Sequence, residues 1–302
     1  MARHTRPRAL TVAGSDSGGG AGIQADLKTF HSFGVFGMSA VTAVTVQNTV
    51  GVADVYPVPP AVVAQQMRAV VEDIGVDALK TGMLVDATTV ATVAGELREL
   101  ADEGLLRGRG AGAPIHLVVD PVMYAKGGEP LLAPSARDVL ISELLPLAEV
   151  LTPNVPEAEL LAGMAIESEE ERERAARRIQ KLTGHWVLLK GGHLASEQAV
   201  DLLCDREQML RLSAPRFDTV QTHGTGCTFS AALTAGLARG YDVPTSAQLA
   251  KEYVTAAIRA AMAAPLGHGH GPTDHTVTGR WSPGSGGTAA IETGWAGGDR
   301  HA

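Results

Sequence analysis

The residues best placed to do chemistry lie in one short stretch, Thr222-His223-Gly224-Thr225-Gly226-Cys227. An Ala- and Leu-rich segment typical of a helix follows it directly. At a helix start the first backbone N–H groups have no intrahelical acceptor, and the helix dipole places partial positive charge there. The two glycines also let an anion approach the main chain closely. This stretch, which we call the anion loop (residues 222–227), indicates a site for a phosphate or for a phosphoryl group in transfer.

Cys227 ends the anion loop, where a thiol could accept a proton from a substrate hydroxyl group. A helix start lowers the pKa of a thiol, so the sequence predicts that the thiolate is favoured here. On spacing alone, however, a simple turn before a core helix explains the two glycines equally well, because short glycine patterns are common.

The elements that must position this loop are strands and helices in alternation. The clearest strand, over residues 115–123, delivers Asp120 to its carboxyl end, where ligands of open α/β sheets bind. Alternation of this kind through residue 264 predicts a doubly wound α/β fold, with one mostly parallel sheet and helices on both faces. We expect this domain to span residues 1–266. Residues 267–302 are rich in Ser, Gly, Thr and Pro, and we expect a low-complexity, largely disordered tail.

The composition of the chain excludes several classes of protein. Of 302 residues, 45% are hydrophobic and 19% are charged, which is ordinary for a globular enzyme. A formal net charge of −8 argues against a nucleic-acid partner. No apolar run is long enough for a membrane span, and two cysteines, Cys204 and Cys227, make no disulfide framework. We therefore expect a cytoplasmic enzyme with neither a nucleic-acid nor a membrane partner.

A second glycine-rich loop, over residues 14–22, joins the first strand to the first helix. Such a loop suggests a dinucleotide site, but the G-x-G-x-x-G spacing, with an acidic residue about 20 positions later, fits poorly. The string over residues 13–30, Ala-Gly-Ser-Asp-Ser-Gly-Gly-Gly-Ala-Gly-Ile-Gln-Ala-Asp-Leu-Lys-Thr-Phe, is instead very similar to the start of hydroxymethylpyrimidine kinases.

Further motifs resemble the same family. The anion loop resembles the anion-hole signature of the ribokinase-like superfamily, and Cys227 in place of the usual aspartate is typical of its hydroxymethylpyrimidine kinase branch. Ala-Val-Thr-Val-Gln-Asn-Thr over residues 43–49 and Thr-Pro-Asn-Val-Pro-Glu over residues 152–157 also match, in the order of the family. The resemblance covers roughly residues 9–272.

The resemblance implies ATP- and Mg²⁺-dependent phosphorylation of 4-amino-5-hydroxymethyl-2-methylpyrimidine, then of its monophosphate, for thiamine synthesis by a homodimer. It implies a small-molecule pyrimidine site made of Gly14, Ala21, Asp26, Gln47, Met83 and Val122. It implies a nucleotide site at Asn154, Glu157, Lys190 and Thr225, with Asp120 and Glu157 holding Mg²⁺ partly through water. The residues implied in catalysis are Gly224, Thr225, Gly226, Cys227 and Lys190.

Two alternatives stay open. A pyridoxal or pyridoxine kinase would use the same scaffold, since its substrates are also flat, hydroxymethylated heteroaromatic rings. A catalytically silent ligand-binding protein would keep the fold, although the intact anion loop, Lys190, Asn154 and Glu157 speak against it.

Overall fold

A computed structural model describes residues 6–107, 115–124, 128, 131–191, 198–277, 281–283 and 290–293. The strands are β1 (Arg8–Ala13), β2 (Phe36–Val41), β3 (Ala43–Gln47), β4 (Val52–Pro57), β5 (Ala78–Thr81), β6 (His116–Val119), β7 (Val150–Leu151), β8 (Trp186–Leu189), β9 (Gln198–Cys204), β10 (Met209–Pro215) and β11 (Ala290–Thr293). The helices are α1 (Gly22–Ser32), α2 (Pro60–Asp73), α3 (Ala87–Asp102), α4 (Pro134–Val139, continued by a π-helical turn over Leu140–Leu144), α5 (Val155–Ala162), α6 (Glu169–Thr183), α7 (Thr225–Ala238) and α8 (Val243–Ala263).

Nine of these strands form the central sheet, in the order β11-β10-β9-β8-β7-β6-β5-β1-β2. The six strands from β8 to β2 pair in parallel, whereas β9, β10 and β11 add an antiparallel edge. Helices link successive parallel strands, as a right-handed crossover requires. The predicted doubly wound, mostly parallel α/β fold is confirmed.

Both faces of the sheet are covered, because successive side chains of each strand point to opposite faces. Leu10, Leu79 and Val119 belong to the core that α2 and α3 cover, together with α5 and α6. Their neighbours Ala9, Ala78 and Val118 belong to the core under α7 and α8. The apolar runs of the parallel strands follow from this double burial, and the carboxyl ends of the strands are left as an open edge for a site.

The chain over residues 36–47 forms two strands, β2 and β3, that turn away from each other at Thr42. The Thr42 backbone N–H donates to the Ala13 oxygen, and its hydroxyl group donates to the Met83 oxygen at 2.6 Å. These bonds hold the chain at the sheet edge while β3 leaves to pair with β4 in a separate two-stranded sheet. The periodicity of the sequence could not show this break, because small, apolar and β-branched residues continue across Thr42 from residue 40 to residue 46.

The predicted boundary at residue 266 is wrong for the segment over residues 267–277, which packs against the domain. Thr273 and His275 in it are buried, and Thr273 N–H donates to the His223 oxygen at 3.2 Å. Trp281 also stacks on Phe33, with ring centroids 6.1 Å apart. Backbone hydrogen bonds and two aromatic or heteroaromatic side chains replace the missing apolar periodicity here. Residues 278–280, 284–289 and 294–302 of the predicted tail lie outside the described residues.

Among the helices in the described part of the chain, none is long and apolar enough to cross a membrane.

Candidate active site

The anion loop has the geometry that its sequence predicts. α7 begins at Thr225, and Gly224 caps it in the left-handed conformation with φ 76°. A side chain at Gly224 would overlap the Gly20 carbonyl oxygen, so the two glycine-rich loops touch at a point that only glycine permits. Thr225 hydroxyl donates to the Thr222 oxygen at 2.7 Å and fixes the turn before the helix. Residues 224–227 all line the cleft, so the start of α7 lies at the sheet edge, although the Thr225 N–H already donates to the Thr222 oxygen at 3.3 Å.

A buried acid and two lysines lie directly beside this helix start. Lys190 Nζ donates to Asp120 Oδ1 at 2.9 Å, and the Thr152 hydroxyl donates to the same oxygen at 3.1 Å. Burial opposes ionisation of Asp120, but Lys190 and Lys80 outweigh it and lower the pKa of Asp120. A Cβ placed at Gly226 would lie 3.3 Å from Lys190 Nζ, so this ammonium group reaches the anion loop itself.

Asn154 and Glu157 form the capping box at the start of α5. Asn154 Oδ1 accepts from Glu157 N–H at 2.9 Å, and Glu157 Oε2 accepts from Asn154 N–H at 2.9 Å. Burial raises the pKa of Glu157 to about 7, with Lys190 opposing and the charge of Asp120 adding to it. A carboxyl group with a pKa near 7 is only partly ionised at neutral pH, so a nearby cation would strongly favour its charged form. The donor set of Asp120, Glu157 and Asn154 consists of oxygens, which suits Mg²⁺.

Lys80 is a site residue that the sequence did not reveal. Its Nζ donates to both carboxylate oxygens of Asp26, at 2.8 and 2.7 Å, and both side chains are 0% exposed. Burial would lower the pKa of Lys80, but Asp26, Cys227 and Asp120 together raise it above its usual value. A fixed positive charge therefore lies under the anion loop.

The pairing with Lys80 changes the interpretation of Asp26. Asp26 also accepts from the Thr11 hydroxyl at 2.7 Å and is fully buried, so it does not line the cleft and cannot touch a substrate directly. The prediction that Asp26 lies in the pyrimidine pocket fails in this structure. Its role is to hold the ammonium group of Lys80.

Cys227 lines the cleft, but its thiol is not activated. Burial raises the pKa of Cys227 to about 11, with Lys80 opposing and Asp26 and Asp120 adding to the rise. The prediction that the helix start favours the thiolate is therefore wrong, because desolvation and two carboxylates outweigh the helix dipole. The backbone N–H of Cys227 needs no ionisation and remains available to bind an anion at the loop.

A further part of the cleft wall includes the second glycine-rich loop. Gly14, Ala21, Gln47, Met83 and Val122, which the resemblance assigns to a pyrimidine site, all line the cleft. A side chain at Gly14 would overlap the Met83 methyl group, so glycine at this position lets the Met83 side chain lie directly on the main chain. The five residues combine one amide with a flat apolar wall, which suits an aromatic ring that carries amino groups.

Sequence reasoning assigned no specific role to two polar residues of this cleft, Asp16 and His223. Asp16 accepts from the backbone N–H groups of Gly18, Gly20 and Ala21, and it holds the second glycine-rich loop in shape. Its Oδ2 lies 2.8 Å from His223 Nε2, which itself lies 3.3 Å from Gln47 Nε2. The three residues are separated by up to 207 positions, and no spacing rule could have joined them.

The cleft continues past the lysines to an apolar end. Its volume is about 870 Å³, large enough for a nucleotide and a small acceptor side by side. The side chains that line this end, none of them predicted as site residues, are Pro215, Phe217, Val220, Val254 and Ile258. All predicted site residues except Asp26 line this one cleft, namely Gly14, Ala21, Gln47, Met83, Asp120, Val122, Asn154, Glu157, Lys190, Gly224, Thr225, Gly226 and Cys227.

The fold and the cleft together define a small-molecule kinase of the ribokinase-like class, with an anion loop at a helix start and buried lysines and acids beside it. Within that class the chain belongs to the phosphomethylpyrimidine kinase family, whose model matches residues 16–274.

Two curated relatives and one solved structure place the chain more closely. It is 51% identical over 271 residues to the hydroxymethylpyrimidine/phosphomethylpyrimidine kinase of Streptomyces coelicolor, covering 90% of this chain and 95% of that protein. It is 50% identical over 272 residues to the thiamine biosynthesis bifunctional protein ThiED of Geobacter sulfurreducens; the match covers 90% of this chain, which spans about half (53%) of that protein. Pyridoxal kinase from Staphylococcus aureus, in complex with AMP-PCP and pyridoxal, is 32% identical with a TM-score of 0.80, covering 96% of this chain and 99% of that one.

Proposed function

We propose that this protein transfers the terminal phosphoryl group of ATP to 4-amino-5-hydroxymethyl-2-methylpyrimidine, and then to the resulting monophosphate, for thiamine synthesis. The observation that carries the proposal is that the anion loop, the Asp120–Lys190 pair and Gln47 line a single cleft. The kinase of Streptomyces coelicolor, whose length the chain nearly covers, is named for both phosphorylations.

In the first reaction, the hydroxymethyl oxygen forms a bond to the terminal phosphorus of ATP, the bond from that phosphorus to ADP breaks, and one proton is released. The backbone N–H groups of residues 224–227 stabilise the charge on the phosphoryl group in transfer. Lys190 and the buried Lys80 add positive charge beside it. Such a loose transfer depends mainly on positioning and electrostatics, so a neutral thiol at Cys227 is compatible with it.

Mg²⁺ fits the oxygen donors at the sheet edge. Asp120, Glu157 and Asn154 would hold it, partly through water, since Mg²⁺ keeps several of its waters. When bound, it neutralises phosphate charge and orients the terminal phosphate. Glu157, whose pKa is raised to about 7, becomes fully ionised beside such a cation.

Gln47 recognises the pyrimidine in this proposal, because its amide offers both a donor and an acceptor to the amino group and ring nitrogen. Met83 and Val122 pack against the faces of the ring. Pyridoxal is the second candidate substrate, since the similar kinase of Staphylococcus aureus holds it on the same fold and the apolar wall accepts any flat ring.

Kinetics with the pyrimidine, its monophosphate and pyridoxal test the function. We expect the highest kcat/KM with the pyrimidines. Gln47→Ala should raise the KM for the pyrimidine by the loss of about 1–3 kcal/mol of hydrogen bonding to a buried ligand. ATP hydrolysis without an acceptor should not change. Gln208→Ala, at an exposed glutamine in the β9–β10 turn, is the matched control. A higher kcat/KM with pyridoxal would replace the proposed function by the alternative.

A homodimer and a cytoplasmic location, where ATP is available and thiols stay reduced, complete the proposal. The outer face of the β3–β4 sheet carries Val44, Val46 and Tyr56, which are 52%, 51% and 58% exposed. Val44 and Tyr56 are directly opposed across the two strands, so they form one continuous apolar patch. A second copy of this chain, presenting the same patch, would bury it symmetrically.

A further inference from the structure

The segment over residues 267–277, which we call the C-terminal strap, is bonded to the anion loop through the main chain. His223 N–H donates to the Gly271 oxygen at 2.9 Å, and Thr273 N–H donates to the His223 oxygen at 3.2 Å. The strap therefore holds the residue that precedes Gly224 from both sides, as a neighbouring strand would. No function assigned so far uses this contact.

Glycines bring the strap close to both sides of the cleft. A side chain at Gly269 would overlap the Thr49 main chain, and one at Gly271 would overlap the Gln221 amide. Thr49 lies two residues after Gln47 on the pyrimidine side, whereas Gln221 precedes the anion loop. The strap thus ties the two halves of the active site together, with separations that larger residues could not allow.

His275 anchors the far end of the strap to the first turn of α7. Its Nε2 lies 2.9 Å from the Thr228 hydroxyl oxygen, and its carbonyl oxygen accepts from the Ser32 hydroxyl at 3.2 Å. Thr228 follows Cys227, is fully buried, and closes the first turn of α7 by donating its N–H to the Gly224 oxygen at 2.8 Å. Burial lowers the pKa of His275 to about 4, with Lys28 adding to the effect and Asp274 opposing it, so the imidazole is neutral.

We propose that His275 is a positioning residue for phosphoryl transfer. Through Thr228, and together with the strap main chain at His223, it holds the anion loop in the geometry that binds the terminal phosphates of the nucleotide. The proposal rests on the proposed function only in taking the anion loop as the phosphate site. His275 acts on the N–H groups of the loop and touches neither substrate.

Nucleotide binding to the full chain tests this inference without any acceptor. AMP-PCP carries the phosphates that the anion loop would hold, whereas AMP lacks the outer two. His275→Ala should raise the Kd of AMP-PCP by about three- to tenfold, the range of one lost hydrogen bond, and should leave the Kd of AMP unchanged. His275→Gln should restore AMP-PCP binding, because its amide can reach the Thr228 hydroxyl. His268→Ala, at an exposed histidine of the same strap, is the matched control and should change neither Kd.

If His275→Ala does not fold, Thr228→Val makes the same test from the other partner, and Thr228→Ser should restore binding. Equal weakening of AMP and AMP-PCP, or unchanged AMP-PCP binding in a folded variant, would show that the strap is only a structural anchor. A wild-type protein that shows this phosphate dependence but does not phosphorylate the pyrimidine would overturn the proposed function and leave the inference standing.

Discussion

At the scale of single residues, Cys227 could contribute to catalysis in two ways, through its thiol as a general base or through its main-chain N–H. A general base must be largely deprotonated at the working pH, but a thiol with a pKa raised to about 11 is almost entirely protonated at pH 7. The main-chain N–H of the same residue needs no ionisation to act. We therefore expect catalysis to depend on the main chain of the anion loop rather than on the sulfur.

Cys227→Ala should accordingly lower kcat by less than the roughly 10²–10⁴-fold typical of a lost general base. The wild-type kcat should also stay nearly constant from about pH 7 to pH 9, because a base with this raised pKa would instead gain tenfold in active form per pH unit. Rate-limiting chemistry is checked by single-turnover kinetics. Gly226→Val, which fills the space beside Lys190, is the comparison and should lose far more activity. A tenfold rise in kcat per pH unit, abolished in Cys227→Ala, would restore the thiol as base.

Nearly all of the site residues predicted from the sequence line the cleft, and the prediction failed where burial decides a role. Asp26 and Lys80 are 54 positions apart, and their mutual pairing depends on how α1 packs on β1, which pairs with β5. Periodicity predicts which strand carries Lys80, but it does not predict that a charged side chain points into protein. The Asp16–His223 contact was missed for the same reason.

At the scale of elements, the β3–β4 sheet is the part of the fold that the sequence described least well. The departure of its strands from the main sheet depends on hydrogen bonds of Thr42 to distant residues, which no local sequence pattern shows. Once the hairpin projects from the sheet edge, its outer valines and tyrosine lack cover within the described chain. This exposure is the reason for assigning the patch to a dimer contact.

The double variant Val44→Glu/Val46→Glu should convert the proposed dimer into a monomer, because it places like charges opposite each other across a symmetric interface. Sedimentation equilibrium measures the change. Leu182→Glu, at an exposed leucine at the end of α6, changes an equally exposed side chain away from the hairpin and should leave the dimer intact. A wild-type chain that sediments as a monomer would contradict the assignment.

At the scale of the whole molecule, the C-terminal region joins the fold more than its composition indicates. Trp281 stacks on Phe33 and meets Tyr253 edge-on, with ring centroids 5.0 Å apart. Arg239 donates to the Trp281 oxygen and to the Ser282 hydroxyl. β11 then pairs with β10 along four residues. Glycine- and serine-rich composition alone could not show these contacts.

Truncation after Thr276 should therefore lower the Tm by several degrees, since it removes Trp281 and β11 while keeping the strap through His275. The kcat measured well below the new Tm should change little, because none of the removed residues that the structure describes lines the cleft. Truncation after Trp281 is the intermediate control and should recover part of the lost Tm. An unchanged Tm after truncation at Thr276 would show that the aromatic contact contributes nothing to stability.

The sealed Lys80–Asp26 pair has a consequence for how the enzyme responds to salt. Dissolved ions screen charges beyond about 8 Å at physiological ionic strength, but only where solvent can reach them. Both side chains are 0% exposed, so salt should leave the pairing that holds the Lys80 ammonium group in place unchanged. ATP must still approach a chain of formal net charge −8, and that encounter is screened by salt. Salt should then alter how fast the nucleotide arrives and leave the transfer step itself at a constant rate.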